Sequence, residues 1–422
     1  PDRPWVVIEK RVGRDSYVYY GNTDWYSYLF NDRRPMQSHD ISIVGASDNI
    51  KYSLSGNYFD QDGIFRHNPD NIKRYNLRSK VDFKVKSWLD INTNISYFNS
   101  AYGYPGVGGV ENTFNVATSH GLASIVPKNP DGSLVYATTI SNYNVMDGYA
   151  AMLTHGLHRN MDKIGEFSPT IEAVLKPMRG LELRSSYRFI HYNYQNMNRT
   201  ANVPYSKYPD EVLTISTGIG NNKLSESQIN HYFQGVNMYA TYEKELHTDH
   251  TFKLMGGYNY ETKYIKDIKA ARDGLLSDQL TDLELATGEV IEVNGGQNEY
   301  ALFGVFYRAN YSYKDKYLLE VAGRYDGTSR FAKGRRFGFF PSFSAGWRLD
   351  REAFFQNWEQ NTLSSLKLRA SYGSLGNQQV GYYDYIQTIN AGSVLGYTFG
   401  DGVRAPYATE TAPNSRELTW ET

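Results

Sequence analysis

Leu181-Glu182-Leu183-Arg184-Ser185-Ser186-Tyr187-Arg188-Phe189 decides the fold. Leu181, Leu183, Ser185, Tyr187 and Phe189 interleave with Glu182, Arg184, Ser186 and Arg188. A period of two sends one set to one sheet face and the other set to the opposite face. The same alternation returns downstream. Tyr307, Ala309, Tyr311 and Tyr313 interleave with Arg308, Asn310 and Ser312; Phe343, Ala345, Trp347 and Leu349 with Ser344, Gly346 and Arg348; Leu366, Leu368, Ala370 and Tyr372 with Lys367, Arg369 and Ser371. Helical spacing is sustained nowhere for long, with Asp350–Leu366 the one short candidate.

Composition agrees with β structure. The 422 residues hold 37 Tyr and 37 Gly against 14 Pro, and aromatics reach 15%. Tyr, Phe, Trp, Val, Ile and Thr suit a pleated surface. A mean hydropathy of -0.57 is too polar for a bundle of membrane helices, and no run of eighteen apolar residues occurs. A net charge of -1 argues against a nucleic-acid partner, which calls for a basic stripe. Zero cysteines remove disulfides, thiolate zinc sites, iron–sulfur clusters and cysteine nucleophiles together. The start Pro1-Asp2-Arg3-Pro4 has neither Met nor a leader pattern, so the chain reads as processed or as a fragment.

Pattern and turn chemistry predict strands near 38–46, 50–60, 72–86, 89–101, 166–176, 180–192, 228–243, 251–264, 297–313, 317–326, 339–349 and 364–374. Their connections alternate in length. Short ones fall at Gly45–Asn49, Ser87–Trp88, Pro177–Gly180, Lys244–His250 and Asp315–Lys316, and long ones at 61–71, 102–165, 193–227, 265–296 and 327–338. An up-and-down outer-membrane barrel requires this rhythm, with tight periplasmic turns and long external loops. Alternation alone also fits a soluble sandwich or barrel with a dry interior. Three features point to the membrane. Many strands exceed the five or six residues usual in soluble sheets. Aromatics crowd Tyr17–Tyr20, Trp25–Phe30, Tyr258–Tyr264 and Phe337–Phe343, read as girdles at strand ends. The polar face is rich in Arg, Lys, Asn and Ser, which suits a wet lumen.

Several ordered blocks resemble SusC/RagA-type TonB-linked outer-membrane transporters. They are Asn22-Thr23-Asp24-Trp25, Ile41–Ser47, Tyr52–Gly56, Asp60-Gln61-Asp62-Gly63-Ile64, Lys73–Arg78, Arg324-Tyr325-Asp326-Gly327-Thr328-Ser329-Arg330-Phe331, Phe339–Arg348 and Leu366–Gln378. They span 22–86 and 297–378; the middle fits in topology. The resemblance implies an all-β, antiparallel up-and-down transmembrane β-barrel of 22 strands filled by a plug. Neither a plug nor a TonB box is visible, and about a dozen strands make half a barrel. Two open edges in lipid are intolerable for the backbone, so residues 1–422 are expected to be the middle of a longer barrel protein. The resemblance further implies nutrient import across the Gram-negative outer membrane. TonB–ExbB–ExbD would drive it, a SusD-like lipoprotein would form the lid, and such pairs often dimerise. Substrates in that family are mostly glycans and sometimes peptides. Two other readings stand beside it: a secreted β protein that binds or cleaves polysaccharide, and a signalling receptor marked by an extra N-terminal domain.

Enzyme and cofactor signals are weak, and neither is expected. Asp60-Gln61-Asp62-Gly63 begins like a calcium loop, but its glycine falls two positions early and Asn71 stands where the closing Glu belongs. Gly106-Val107-Gly108-Gly109 has Glu111 at the third glycine position of a dinucleotide loop. His155/His158 and His247/His250 have metal-compatible spacing without a third ligand. Ser374 lacks the spacing of a nucleophile elbow. Binding is better sought in the aromatic loops. Tyr102, Tyr104, Tyr136, Tyr143 and Tyr149 of loop 102–165, with Tyr205 and Tyr208 of loop 193–227, could stack on sugar rings, although loops this long must also pack on themselves.

Overall fold

The computed structural model describes residues 4–11, 13–106, 108–139, 143–215, 222–247, 249–277, 279–356, 364–392, 398–400, 402–404, 407–410 and 417–421. A hairpin of β1 (Val6–Arg11) and β2 (Arg14–Tyr19) comes first, followed by helix α1 (Trp25–Leu29). Then come β3 (Met36–Ala46), β4 (Ile50–Asp62), β5 (Asn71–Lys86) and β6 (Leu89–Tyr104). Helices α2 (Gly109–His120) and α3 (Tyr149–His155) precede β7 (Arg159–Met178) and β8 (Leu181–Thr200). The two-residue strands β9 (Pro204–Tyr205) and β10 (Leu213–Thr214) lead to β11 (Lys223–Leu246), β12 (His250–Asp273) and β13 (Val290–Tyr313). Next are β14 (Tyr317–Thr328), β15 (Phe337–Arg348), α4 (Ala353–Gln356) and β16 (Lys367–Gly373). Four short strands end the described chain: β17 (Ile389–Gly392), β18 (Thr398–Phe399), β19 (Val403–Arg404) and β20 (Tyr407–Glu410).

Twelve of these strands form one antiparallel sheet. Its order is β16-β15-β14-β13-β12-β11-β8-β7-β6-β5-β4-β3, each strand beside its sequence neighbour in the sheet. The register sorts side chains into two faces. One row runs Ile43, Leu54, Ser79, Ile95 and Pro169 across β3 to β7. Farther along the sheet, Met238, Tyr258, Val305, Tyr325 and Phe339 form a row across β11 to β15. The opposite face carries Lys51, Asp82, Asn92, Glu172, Ser186, Asn237 and Asn259 in one row. The apolar side chains of the first two rows, such as Ile43, Leu54, Val305 and Phe339, are exposed, and the charged row lies on the other face. A soluble sheet would bury the first set; an exposed apolar face is the pattern of a barrel wall that faces lipid.

The strands outrun the sequence reading at their outer ends. β7 begins at Arg159 rather than 166, β8 continues to Thr200, β12 to Asp273, and β13 starts at Val290. Strands of 20 to 24 residues are about twice what crosses a bilayer. Their upper halves stand as a wall above the apolar band, so the polar stretches read as loops are paired strand. Pro169, with no N–H to give, falls where pairing of β7 to β8 lapses between Phe167 and Thr170. Of Asp350–Leu366, residues 349–351 and α4 are helical, and 357–363 lie outside the described residues. Among the described residues no helix is long and apolar enough to cross a membrane, which says nothing of crossing by strands.

The dry core sits in the external connections. Tyr17, Tyr19, Trp25, Leu29, Phe30 and Phe65 pack with Val135, Val145, Met146 and Leu153. Tyr17–Tyr19, Trp25, Leu29 and Phe30 are therefore buried cap residues instead of girdle residues, with Trp25 3% exposed, while Tyr26 stays exposed on the cap. Asp24 caps α1 by accepting from the backbone N–H of Tyr26 and Ser27 at 3.0 and 3.2 Å. Tyr17 donates to Asp131 at 2.8 Å and Tyr19 to Asn129 at 3.0 Å, while Asn129 donates to the Ser206 carbonyl at 3.1 Å. These bonds clamp the hairpin to two long loops. Burial, then the Asp131 bond, pushes the Tyr17 phenol up to about 12.

Candidate substrate-facing wall

Tyr102 and Tyr104 lie in the last three residues of β6, at its long-loop end, instead of in a loop. Even-numbered residues of β6 face the polar side, so both rings lie on that face of the sheet. They stack with centroids 4.7 Å apart and planes 18° from parallel. The register sets Tyr102 beside Asp162 and Tyr104 beside Asn160 on β7. Asp162 accepts from the Tyr194 hydroxyl at 2.9 Å and the Asn196 amide at 2.7 Å, both on β8. Asn198 donates to Asn160. Lower on the same face Tyr192 packs against His231 at 5.1 Å.

Two flat rings beside one carboxylate and several amides form a surface of mixed chemistry. It offers apolar ring faces, donors and acceptors within a few ångströms. Asp162 and Tyr194 lie about 16 and 13 residues from their tight turn, or roughly 40 and 35 Å up a tilted strand, far above the apolar band. Burial and then the Asp162 bond raise the Tyr194 phenol to about 12. Tyr194 is thus a neutral donor at physiological pH.

The remaining predicted tyrosines build the cap. Tyr205 is buried and meets Tyr136 edge-on at 4.9 Å. Tyr149 packs on the same cluster and fills the space above Gly108, whose φ of +48° and close ring contact leave no room for a side chain. Tyr143 donates to the His120 carbonyl. The Arg14 guanidinium lies 3.8 Å from the Tyr208 ring centre while pairing with Glu211. The structure therefore brings Tyr102 and Tyr104 together and separates them from the other five. Sequence reasoning missed Asp162, Tyr194, Asn160, Asn196 and Asn198. Carrying the period of two from Leu181 past Tyr192 would have found Tyr194, Asn196 and Asn198.

The weak motifs resolve into structure. Asn71 donates to Asp60 at 2.8 Å and to Asp62 at 2.9 Å. Among the described residues no three His, Cys, Asp or Glu side chains gather to hold a metal. His158 is fully buried and His250 bonds the Tyr311 hydroxyl at 2.8 Å.

The lower polar face is a ladder of charge. Arg184 contacts Glu182 at 2.5 Å and Glu172 at 3.4 Å, and Lys176 contacts Asp90 at 2.8 Å. Arg324 bonds Asp326 at 2.8 Å and Asn259 at 2.9 Å. Such pairs are ordinary in a wet lumen and costly in a dry interior.

No family model matches the chain. The likeness to TonB-dependent receptors read from the sequence nevertheless holds along almost its whole length. TonB-dependent receptor P26 of Formosa agariphila is 28% identical over 419 residues, covering 96% of this chain and 38% of that protein. TonB-dependent receptor SusC of Bacteroides thetaiotaomicron is 26% identical over 433 residues, covering 95% and 39%. The chain thus spans about two fifths of the curated relatives it matches. Among solved structures, the RagAB peptide transporter matches 95% of this chain and 42% of its own, with a TM-score of 0.74 at 23% identity. The same importer in its open-open state gives 0.76. The all-β fold is that of these transporter barrels. Both relatives carry the name of a TonB-dependent receptor.

Proposed function

We propose that the chain is part of the barrel wall of an outer-membrane, TonB-dependent nutrient importer. The two-faced sheet carries this reading: apolar side chains are exposed on one face and charges line the other. β3 and β16 are the two ends of the sheet. In lipid both need partners, and further strands of a longer protein would supply them. A plug in the same protein, pulled by TonB–ExbB–ExbD, would open the path. A SusD-like lipoprotein would close over the loops, in pairs that themselves dimerise.

The substrate read from the wall is an oligosaccharide. Stacked Tyr102 and Tyr104 offer flat faces to sugar rings, and Asp162, Asn160 and Asn196 bond hydroxyls. Tyr136, Tyr143, Tyr149, Tyr205 and Tyr208 act at one remove, by holding the cap in place. The test uses the full-length protein with its lipoprotein partner in detergent. Calorimetric titration with a panel of oligosaccharides and oligopeptides should give glycan binding that Tyr104→Ala weakens at least tenfold. Binding of peptides alone would reassign the cargo. Recovery of the protein in buffer without detergent would favour a secreted polysaccharide-binding protein and sink the importer.

A further inference from the structure

The outward face changes character at its external end. The register sets Tyr97 of β6, Phe167 of β7, His191 of β8 and Tyr232 of β11 side by side. His191 stacks on Tyr232 at 4.7 Å. This row is an aromatic girdle of the kind that marks a bilayer interface. Four residues nearer the external end, the outward positions of β5, β6 and β7 are Lys73, Ala101 and Lys163, paired in one row. Four residues of tilted strand rise about 10 Å, which is the level of lipid headgroups.

Both lysines are exposed. Their strands are two spacings apart, so their roots are separated by about 10 Å. Between them the wall carries Ala101, with Gly103 and Gly165 next along the strands. A side chain at Gly165 would meet nothing within 4 Å. The lysines therefore flank a low shelf at Ala101 and Gly165, bordered by Met161, whose methyl lies 3.3 Å from where a side chain at Gly103 would begin. Lys163 has no ion pair among the described residues, and Lys73 is 3.9 Å from Asp60, too far for a hydrogen bond. The acids on this face, Asp60 and Asp62, stand one strand beyond and are both held by Asn71. At the opposite end the outward row across β13 to β16 is Tyr313, Tyr317, Trp347 and Leu368, without a lysine.

We propose that Lys73 and Lys163 form a site for the phosphate-bearing headgroup of an outer-leaflet lipid. This rests on the membrane-barrel reading. The ammonium groups, on flexible four-carbon stems, close over the shelf onto one phosphate. The acyl chains run down the wall across Tyr97 and Phe167. A free phosphate ion gains the first contact without the second, so the lipid is the occupant.

The full-length protein, purified in detergent and stripped of lipid, is titrated with lipid A and with dephosphorylated lipid A, and bound lipid is counted by native mass spectrometry. The wild type should bind the phosphorylated form, and each lysine replaced in K73Q, K163Q and the double variant should weaken binding about fivefold. Inorganic phosphate at equal concentration should fail to compete. Unchanged binding in a double variant that keeps the wild-type heat-dependent gel mobility would overturn the site, as would equal binding of the dephosphorylated lipid or full competition by phosphate. A protein that needs no detergent would instead overturn the barrel, so the two failures are distinct.

Discussion

Leu254 offers the sharpest test of which face meets lipid. It stands on the outward face of β12 between Tyr242 of β11 and Ala309 of β13, 49% exposed. It lies four residues above His250 at the tight turn. At about 3.3 Å per residue and a tilt of about 40°, that is about 10 Å along the bilayer normal. The apolar band of such a barrel is about 25 Å tall, so Leu254 sits near its middle. Leu254→Arg places a guanidinium there and should cost about 2–4 kcal/mol. At 1.4 kcal/mol per tenfold, the folded-to-unfolded ratio falls roughly 30- to 700-fold. Ser344→Arg is the control. Ser344 lies on the polar face of β15, beside Glu320 of β14, and the change should cost no more than about 0.5 kcal/mol. The assay is denaturant titration of the full-length protein refolded into phosphatidylcholine vesicles, followed by tryptophan fluorescence. Equal costs, or a larger cost for Ser344→Arg, would refute the assignment of faces, because a soluble sheet is dry where Ser344 lies.

Other perturbations probe the cap and the turns. Gly63→Ala puts a methyl 1.7 Å from the Asp70 carboxyl carbon. Asp70 must then give up its bond from the Phe65 N–H, at about 1–3 kcal/mol, and faster proteolysis within 63–70 should report it. Tyr17 has its folded pKa raised to about 12 from 10.0, so its contribution is complete below pH 10 and is lost as pH rises toward 12. The pH dependence of stability over that window, read by denaturant titration, should be smaller in Tyr17→Phe than in the wild type. Glu352, in the tight turn after β15, accepts from Trp347 at 3.0 Å, Tyr317 at 2.8 Å and Lys316 at 3.1 Å. Its pKa is lowered from 4.5 to about 2, so its contribution is present above pH 4.5 and is lost as pH falls toward 2. Trp347 emission should shift in that range in the wild type and stay flat in Glu352→Gln.

The sheet was readable because period two is a local signal. Leu181–Phe189 and Leu366–Tyr372 each declare their two faces without reference to any distant residue. The extent of the strands was harder to read. Asn193–Thr200 puts Asn193, Gln195 and Arg199 on one face and Asn196 and Asn198 on the other, so it has no apolar stripe, although Met197 and Arg199 are covered by the loop that carries Leu275 and Leu283. The cap was missed for the opposite reason. Tyr17, Trp25 and Phe65 are brought together by long connections, and nothing local distinguishes a buried loop aromatic from a girdle aromatic. Tyr102 and Tyr104 stand out by composition as candidates for the proposed binding wall. Asp162 does not, since its role comes from register: three strands place it beside Tyr102, Tyr194 and Asn196.

The most direct test of the central claim uses the chain's lack of cysteine. Single cysteines placed in turn at 251 to 260 of β12 in the full-length protein, spin-labelled in lipid bilayers, report contact with oxygen or with a water-soluble nickel complex. The account predicts alternation, with oxygen favoured at positions 252, 254, 258 and 260 and nickel at 253, 255, 257 and 259. Uniform exposure to nickel, or the reverse phase, would contradict a wall that turns its apolar side to lipid.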